Sequence, residues 1–137
     1  MSKKTQEQLN KYLQKEICKA KDLGISLYLI NPAVSISKSK TCFGKCKKKI
    51  SPPSKVECFI SLSDFARKLS KKEIKSILMH EVLHASVGSV GHDNIWRNNC
   101  SIVKSNYSYD GYEKYHLHKH PYSKSRAKEA YRSGAFY

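Results

Sequence analysis

The chain has 137 residues, enough for one domain with a modest core and no need of disulfide staples. No segment is long and apolar enough to span a bilayer, and the polar start MSKKTQEQLNK leads into nothing that could serve as a signal peptide. A cytoplasmic location without membrane contact is therefore expected. Twenty-six Lys and Arg against eleven Asp and Glu leave a net charge of +15. Such a surplus draws polyanions, nucleic acid among them, although it serves solubility as well.

In chain order, Leu9, Leu13, Ile17 and Ala20 recur every three or four residues, with Tyr12 on the same side. They predict an amphipathic helix over residues 6–22, with Gly24 placed to end it. Three short β-prone runs follow, at Ser26–Ile30, Ala33–Ser37 and Val56–Leu62. The Lys-rich stretch between the last two ends in Ser51-Pro52-Pro53-Ser54 and is expected to be a loop or an edge connection. Its lysines, from Lys38 to Lys49, form either a solvated loop or a phosphate-tracking patch.

Ser70-Lys71-Lys72-Glu73 has the form of a capping box, in which Ser70 accepts from an N3 amide and Glu73 reaches back. Ile74, Ile77, Leu78, Val82 and Ala85 continue at helical spacing, so the helix should run to about Val87. Gly88 and Gly91 permit a turn, and Asp93 or Asn94 can cap a further helix reaching about Lys104. Ile95, Trp96, Ile102 and Val103 would supply its buried side. Residues 107–137 are rich in tyrosine, contain three clustered histidines and hold few aliphatic side chains. They read as a basic extension beyond the domain of residues 1–106.

Five cysteines, Cys18, Cys42, Cys46, Cys58 and Cys100, are an odd number at irregular spacing. That is a poor disulfide framework, and buried free thiols are the expected state. Cys42 and Cys46 could form half of a metal site, but no second pair completes it.

The chemistry is carried by His80-Glu81-Val82-Leu83-His84, which matches H-E-x-x-H. Residues four apart on a helix lie one turn above each other, so two imidazoles can share one zinc ion about 2 Å from each nitrogen. Glu81 lies beside the pair, where it can take a proton from a water. Val82 and Leu83 turn toward the core. A catalytic zinc usually has three protein ligands and one open position. His92, eight residues past His84 and beyond the two glycines, is the natural third ligand, with Glu113 or a histidine of the extension as alternatives. Metzincins place a Gly where Val87 stands and their third His six residues after the second, so the chain is not one of them.

These residues resemble the SprT-like metallopeptidase family. The likeness rests on the H-E-x-x-H segment followed by His92 and Trp96 in Gly91-His92-Asp93-Asn94-Ile95-Trp96. Upstream, Phe43-Gly44-Lys45-Cys46 is similar to the family's aromatic-Gly-x-Cys element, and Phe59-Ile60-Ser61-Leu62 to the strand before the active-site helix. The resemblance implies an α+β fold of the minimal zincin type, with a short sheet packed on the active-site helix. It implies Zn2+ on His80, His84 and His92, Glu81 as the catalytic base, a protein substrate and an association with DNA. Many bacterial relatives end in a zinc ribbon. Here no cysteine follows Cys100, and the region reads Tyr115-His116-Leu117-His118-Lys119-His120: either the ribbon has lost its metal, the expected state, or the histidines replace the cysteines. A rival reading is a basic nucleic-acid-binding module with a structural zinc. A structural site has no reason to place Glu81 between its ligands. A third reading is a narrow regulatory protease, which only its substrate would distinguish.

Overall fold

The first helix, α1 (Gln6–Asp22), starts at a reciprocal cap: Thr5 accepts from the Gln8 N–H, and the Gln8 side chain accepts from the Thr5 N–H. Its inner stripe, Leu9, Leu13, Ile17 and Ala20, is buried as the spacing predicts. Each fully buried leucine contributes about 1.5–3 kcal/mol. The computed structural model describes residues 3–38 and 43–107 of the chain. After α1 come β1 (Leu29–Ile30), β2 (Ser35–Ser37), β3 (Gly44–Ser51) and β4 (Lys55–Ser63). A 3-10 turn (Asp64–Lys68), α2 (Lys71–Leu83) and α3 (Asn94–Asn106) complete an α+β fold. Among the described residues no helix is long and apolar enough to cross a membrane.

The sheet is organised around β4. On one side β3 pairs with it antiparallel along its whole length, from Gly44 opposite Leu62 to Ser51 opposite Lys55. On the other side β1 and β2 run parallel to it in succession, Leu29 opposite Glu57 and Ser35 opposite Ser61. Between these two strands the outer chain holds two residues more than β4 does, around Pro32, which has no N–H to give to the ladder. An even excess preserves the alternation of side chains, so Ile30 and Ile36 share the face that packs against the helices. Cys58, Ile60 and Leu62 of β4 are buried on that face.

One expectation is narrowed and another corrected. Of the loop and the edge connection expected for the Lys-rich stretch, the structure has the edge: residues 44–51 form β3, paired with β4 alone, and 52–54 make the turn, while residues 39–42 lie outside the described residues. Helix α2 stops at Leu83 instead of reaching about Val87. The reason is tertiary. Residues 85–87 leave the helix to bond with residues 26–28, Tyr28 N–H donating to Ala85 O at 2.9 Å and Val87 N–H to Ser26 O at 3.0 Å. The same pairing takes Ser26–Tyr28 away from the sheet, which shortens β1 relative to the predicted run. In α3, Trp96 and Val103 are buried as expected, but Ile95 is 41% exposed and Cys100 takes an inner position.

Candidate metal centre

Helix α2 presents the H-E-x-x-H residues at its C-terminal end. Ser70 and Glu73 form the reciprocal cap at its start, and Leu78, Met79, Val82 and Leu83 are fully buried around it. With the helix fixed on those sides, His80 and His84 point the same way, one turn apart. Their Nε2 atoms are 3.3 Å from each other. His80 is buried, and His84, the C-cap residue, is half-buried.

The chain then turns back. Gly88 and Gly91 adopt φ of 83° and 60°, the left-handed region that L side chains rarely occupy. Asp93 fixes the turn: its carboxylate accepts from the Trp96 N–H, the Val90 N–H and the Ser89 hydroxyl. The backbone bond from Trp96 and then that from Val90 hold its carboxyl below the usual range. Arg97 Nε donates to His92 O at 3.0 Å. The result brings His92 Nε2 to 3.2 Å from His80 Nε2. The ligand atoms of His80, His84 and His92 all lie within 4.8 Å of one another, a group that could hold a metal ion.

The donor set suits such an ion. Nitrogens bound at about 2.0–2.1 Å around a tetrahedral centre sit roughly 3.3–3.4 Å apart, close to the two Nε2 separations here. Trp96 braces all three rings: its indole centroid lies 4.8, 5.3 and 4.4 Å from those of His80, His84 and His92. Its N–H donates to His80 O at 3.3 Å. The alternative third ligands, Glu113 and the histidines at 116, 118 and 120, fall outside the described residues.

Glu81 is 1% exposed, and its carboxylate is 3.9 Å from His80 Nε2. Burial pushes its carboxyl well above the ordinary value; a cation among the histidines would draw it back down. Its placement depends on Gly44. A Cβ there would come within 3.0 Å of Ile77 Cγ2 and 3.2 Å of Glu81 Cγ, so a glycine lets the start of β3 close on α2 at this point. Phe43 beside it is buried and packs against Phe65, the rings tilted with centroids 5.2 Å apart. Physical roles thus attach to the Phe43-Gly44-Lys45-Cys46 element.

A cleft of about 420 Å³ opens beside the histidines, lined by Lys45, Cys46 and Lys48 of β3, by Glu81 and His84 of α2, and by Val90 and Gly91 of the turn. The Lys48 ammonium donates to Ser89 O and sits 5.5 Å from the Tyr28 ring centroid, tying the strand to the turn. Sequence reasoning missed Val90 as a cleft wall, since a lone valine between two glycines carries no signal of its own. The described cysteines form no disulfide among themselves, and Cys58 and Cys100 are buried; Cys42 falls outside the described residues. Cys46 interacts with Cys58, and this contact together with burial pushes the Cys46 thiol up.

The arrangement therefore offers three imidazole nitrogen donors, a carboxyl group next to them and an open cleft in front. Comparison with known proteins adds one finding: the sequence pattern of the SprT-like family matches residues 3–118. No curated protein and no solved structure matches the chain.

Proposed function

Since the chain belongs to the SprT-like family, we propose that it is a zinc-dependent metalloendopeptidase that hydrolyses peptide bonds of DNA-associated proteins. The observation that supports this most is the convergence of three imidazoles beside the Glu81 carboxyl, with Glu81 and His84 in the wall of one cleft. His80, His84 and His92 would hold the zinc. Bound there, zinc supplies Lewis acidity, which polarises a substrate carbonyl and acidifies water.

The chain's own groups do the rest. Glu81 takes the proton of the attacking water and passes it to the departing amine. Its burial keeps bulk water from competing for that proton. Trp96 keeps the three rings in register, and β3 offers Lys45, Cys46 and Lys48 along one wall of the cleft to an incoming polypeptide. Tyr107, Tyr109 and Tyr112 are the tyrosines that could help steady the developing oxyanion; the Tyr107 ring lies under the Lys19 ammonium of α1 at 5.1 Å, and the other two fall outside the described residues. The nucleic-acid association, through the basic surface, and a cytoplasmic site of action belong to the same proposal.

The rival reading, a nucleic-acid-binding module with a structural zinc, calls for four closed ligands. The group among the described residues has three, with a carboxyl and a cleft beside it. The deciding experiment is cleavage of a labelled denatured protein by zinc-loaded wild type and by Glu81→Gln. Wild type should cleave, and the variant should keep its zinc but lose activity about 10²–10⁴-fold. Full activity in the variant would refute the assignment of Glu81.

A further inference from the structure

The register of the sheet sorts the lysine run onto two faces. Cys46, Lys48 and Ile50 of β3 lie opposite Ile60, Cys58 and Val56, on the face toward the helices. Lys45, Lys47 and Lys49 lie opposite Ser61, Phe59 and Glu57 on the other face, and all three are exposed. Ser35 of β2, opposite Ser61, and Leu29 of β1, opposite Glu57, complete that surface. Its centre is Phe59, half-buried on the side of β4 away from the core. A concavity of about 560 Å³ lies there, lined by Ser35, Lys45, Lys47, Phe59 and Ser61, with Cys46 and Lys48 of the same edge strand also contributing.

We propose that this open face of the sheet, with Phe59 at its centre and Lys45, Lys47 and Lys49 along its edge, docks single-stranded nucleic acid. Lysines on an edge strand also discourage pairing with other chains, but that role explains neither an aromatic ring at the centre of a face that the described helices leave uncovered nor a hollow around it. Alternate residues of a strand repeat every 6.4–6.8 Å or so, a spacing at which an extended single strand can present successive phosphates. Phe59 offers a ring on which an unpaired base stacks, and Ser35 and Ser61 offer hydroxyls to a base edge. A duplex keeps its bases stacked on each other and cannot use the ring. Lys49 faces Glu57 across the ladder, so Lys45 and Lys47 carry most of the uncompensated charge. Lys45 also lines the cleft beside the histidines, so the surface adjoins that cleft around the β3 edge; nucleic-acid binding on it needs neither zinc nor catalysis.

The test is fluorescence anisotropy of a labelled oligothymidylate of about 12 nucleotides with the full chain, set against a duplex of equal length. Single strand should bind more tightly than duplex. Phe59→Leu, its folding checked by thermal melting, should weaken binding roughly tenfold or more. The surface double variant Lys45→Gln/Lys47→Gln should flatten the slope of log affinity against log salt by about 1.4. Lys11→Gln/Lys15→Gln on α1 removes the same charge and should change binding far less. Equal loss in both double variants, duplex binding as tight as single strand, or no effect of Phe59→Leu would each overturn the proposal. So would loss of binding on changing Tyr109, Tyr112 and Tyr115 to Ser while the face variants bind normally. Because binding is read without zinc or cleavage, failure here leaves the peptidase reading standing, and the reverse holds too.

Discussion

Gly44→Ala adds a single methyl group where three neighbours already crowd. The new Cβ would lie 3.0 Å from Ile77 Cγ2, 3.2 Å from Glu81 Cγ and 3.2 Å from Ser61 O. Comfortable carbon–carbon contact is about 3.5–4.0 Å, so Ile77 would have to retreat by roughly half an ångström or more. Ile77 is 2% exposed and has little room. Ser61 belongs to β4, paired on both sides, so its carbonyl cannot yield without disturbing the ladders. Overpacking of this kind costs about 1–3 kcal/mol, or roughly 5–15 °C in melting temperature for a domain of this size. Glu81 is crowded as well, and a shift of about 1 Å at a reacting group can reduce turnover about 10²-fold. No imidazole is touched, so zinc per chain should stay constant. Calorimetry, metal analysis and hydrolysis of a denatured protein would together check this. An unchanged melting temperature with unchanged turnover would refute the claim that Gly44 sets the strand-to-helix approach.

Three further outcomes follow from the site and its supports. Metal-washed wild type should bind one zinc per chain by mass spectrometry, and His92→Ala should lose it or hold it far more weakly; zinc fully retained would make His92 the wrong ligand. Trp96→Leu should lower zinc affinity about 10–100-fold in a competitive chelator titration, because the rings lose their common brace. Asp64 is held below its ordinary pKa by Lys3 and then Arg67. A depressed carboxyl stabilises the fold above the unfolded value of about 3.9 and loses that contribution as pH falls through the lower folded value. The melting temperatures of wild type and Asp64→Asn should therefore differ slightly at neutral pH and converge in acid; a gap that persists at low pH would contradict this.

Much of the site was legible because its residues are fixed by local periodicity. His80, Glu81 and His84 lie on one strongly patterned helix whose start is written in Ser70 and Glu73, and the cap at Asp93 places His92 and Trp96 together. Helix α1 was legible for the same reason. Strand β3 was not, because Lys48 breaks the alternation that Cys46 and Ile50 would otherwise show; β4, which reads clearly as a strand, supplies the partner that makes it one. The end of α2 was also hidden. Nothing in Ala85-Ser86-Val87 disfavours helix strongly, and the competing bonds come from residues 26–28, far away in sequence. The 3-10 turn at Asp64–Lys68 carries no periodic pattern at all.

Trp96 is the one tryptophan in the chain, and its indole touches all three candidate ligands while donating to the backbone of one. Whatever alters the protonation or position of those imidazoles alters the surroundings of the protein's sole strongly emitting fluorophore. The molecule thus carries its own unlabelled optical probe of the centre, one that should register metal uptake, chelation and exchange in real time without a substrate being known.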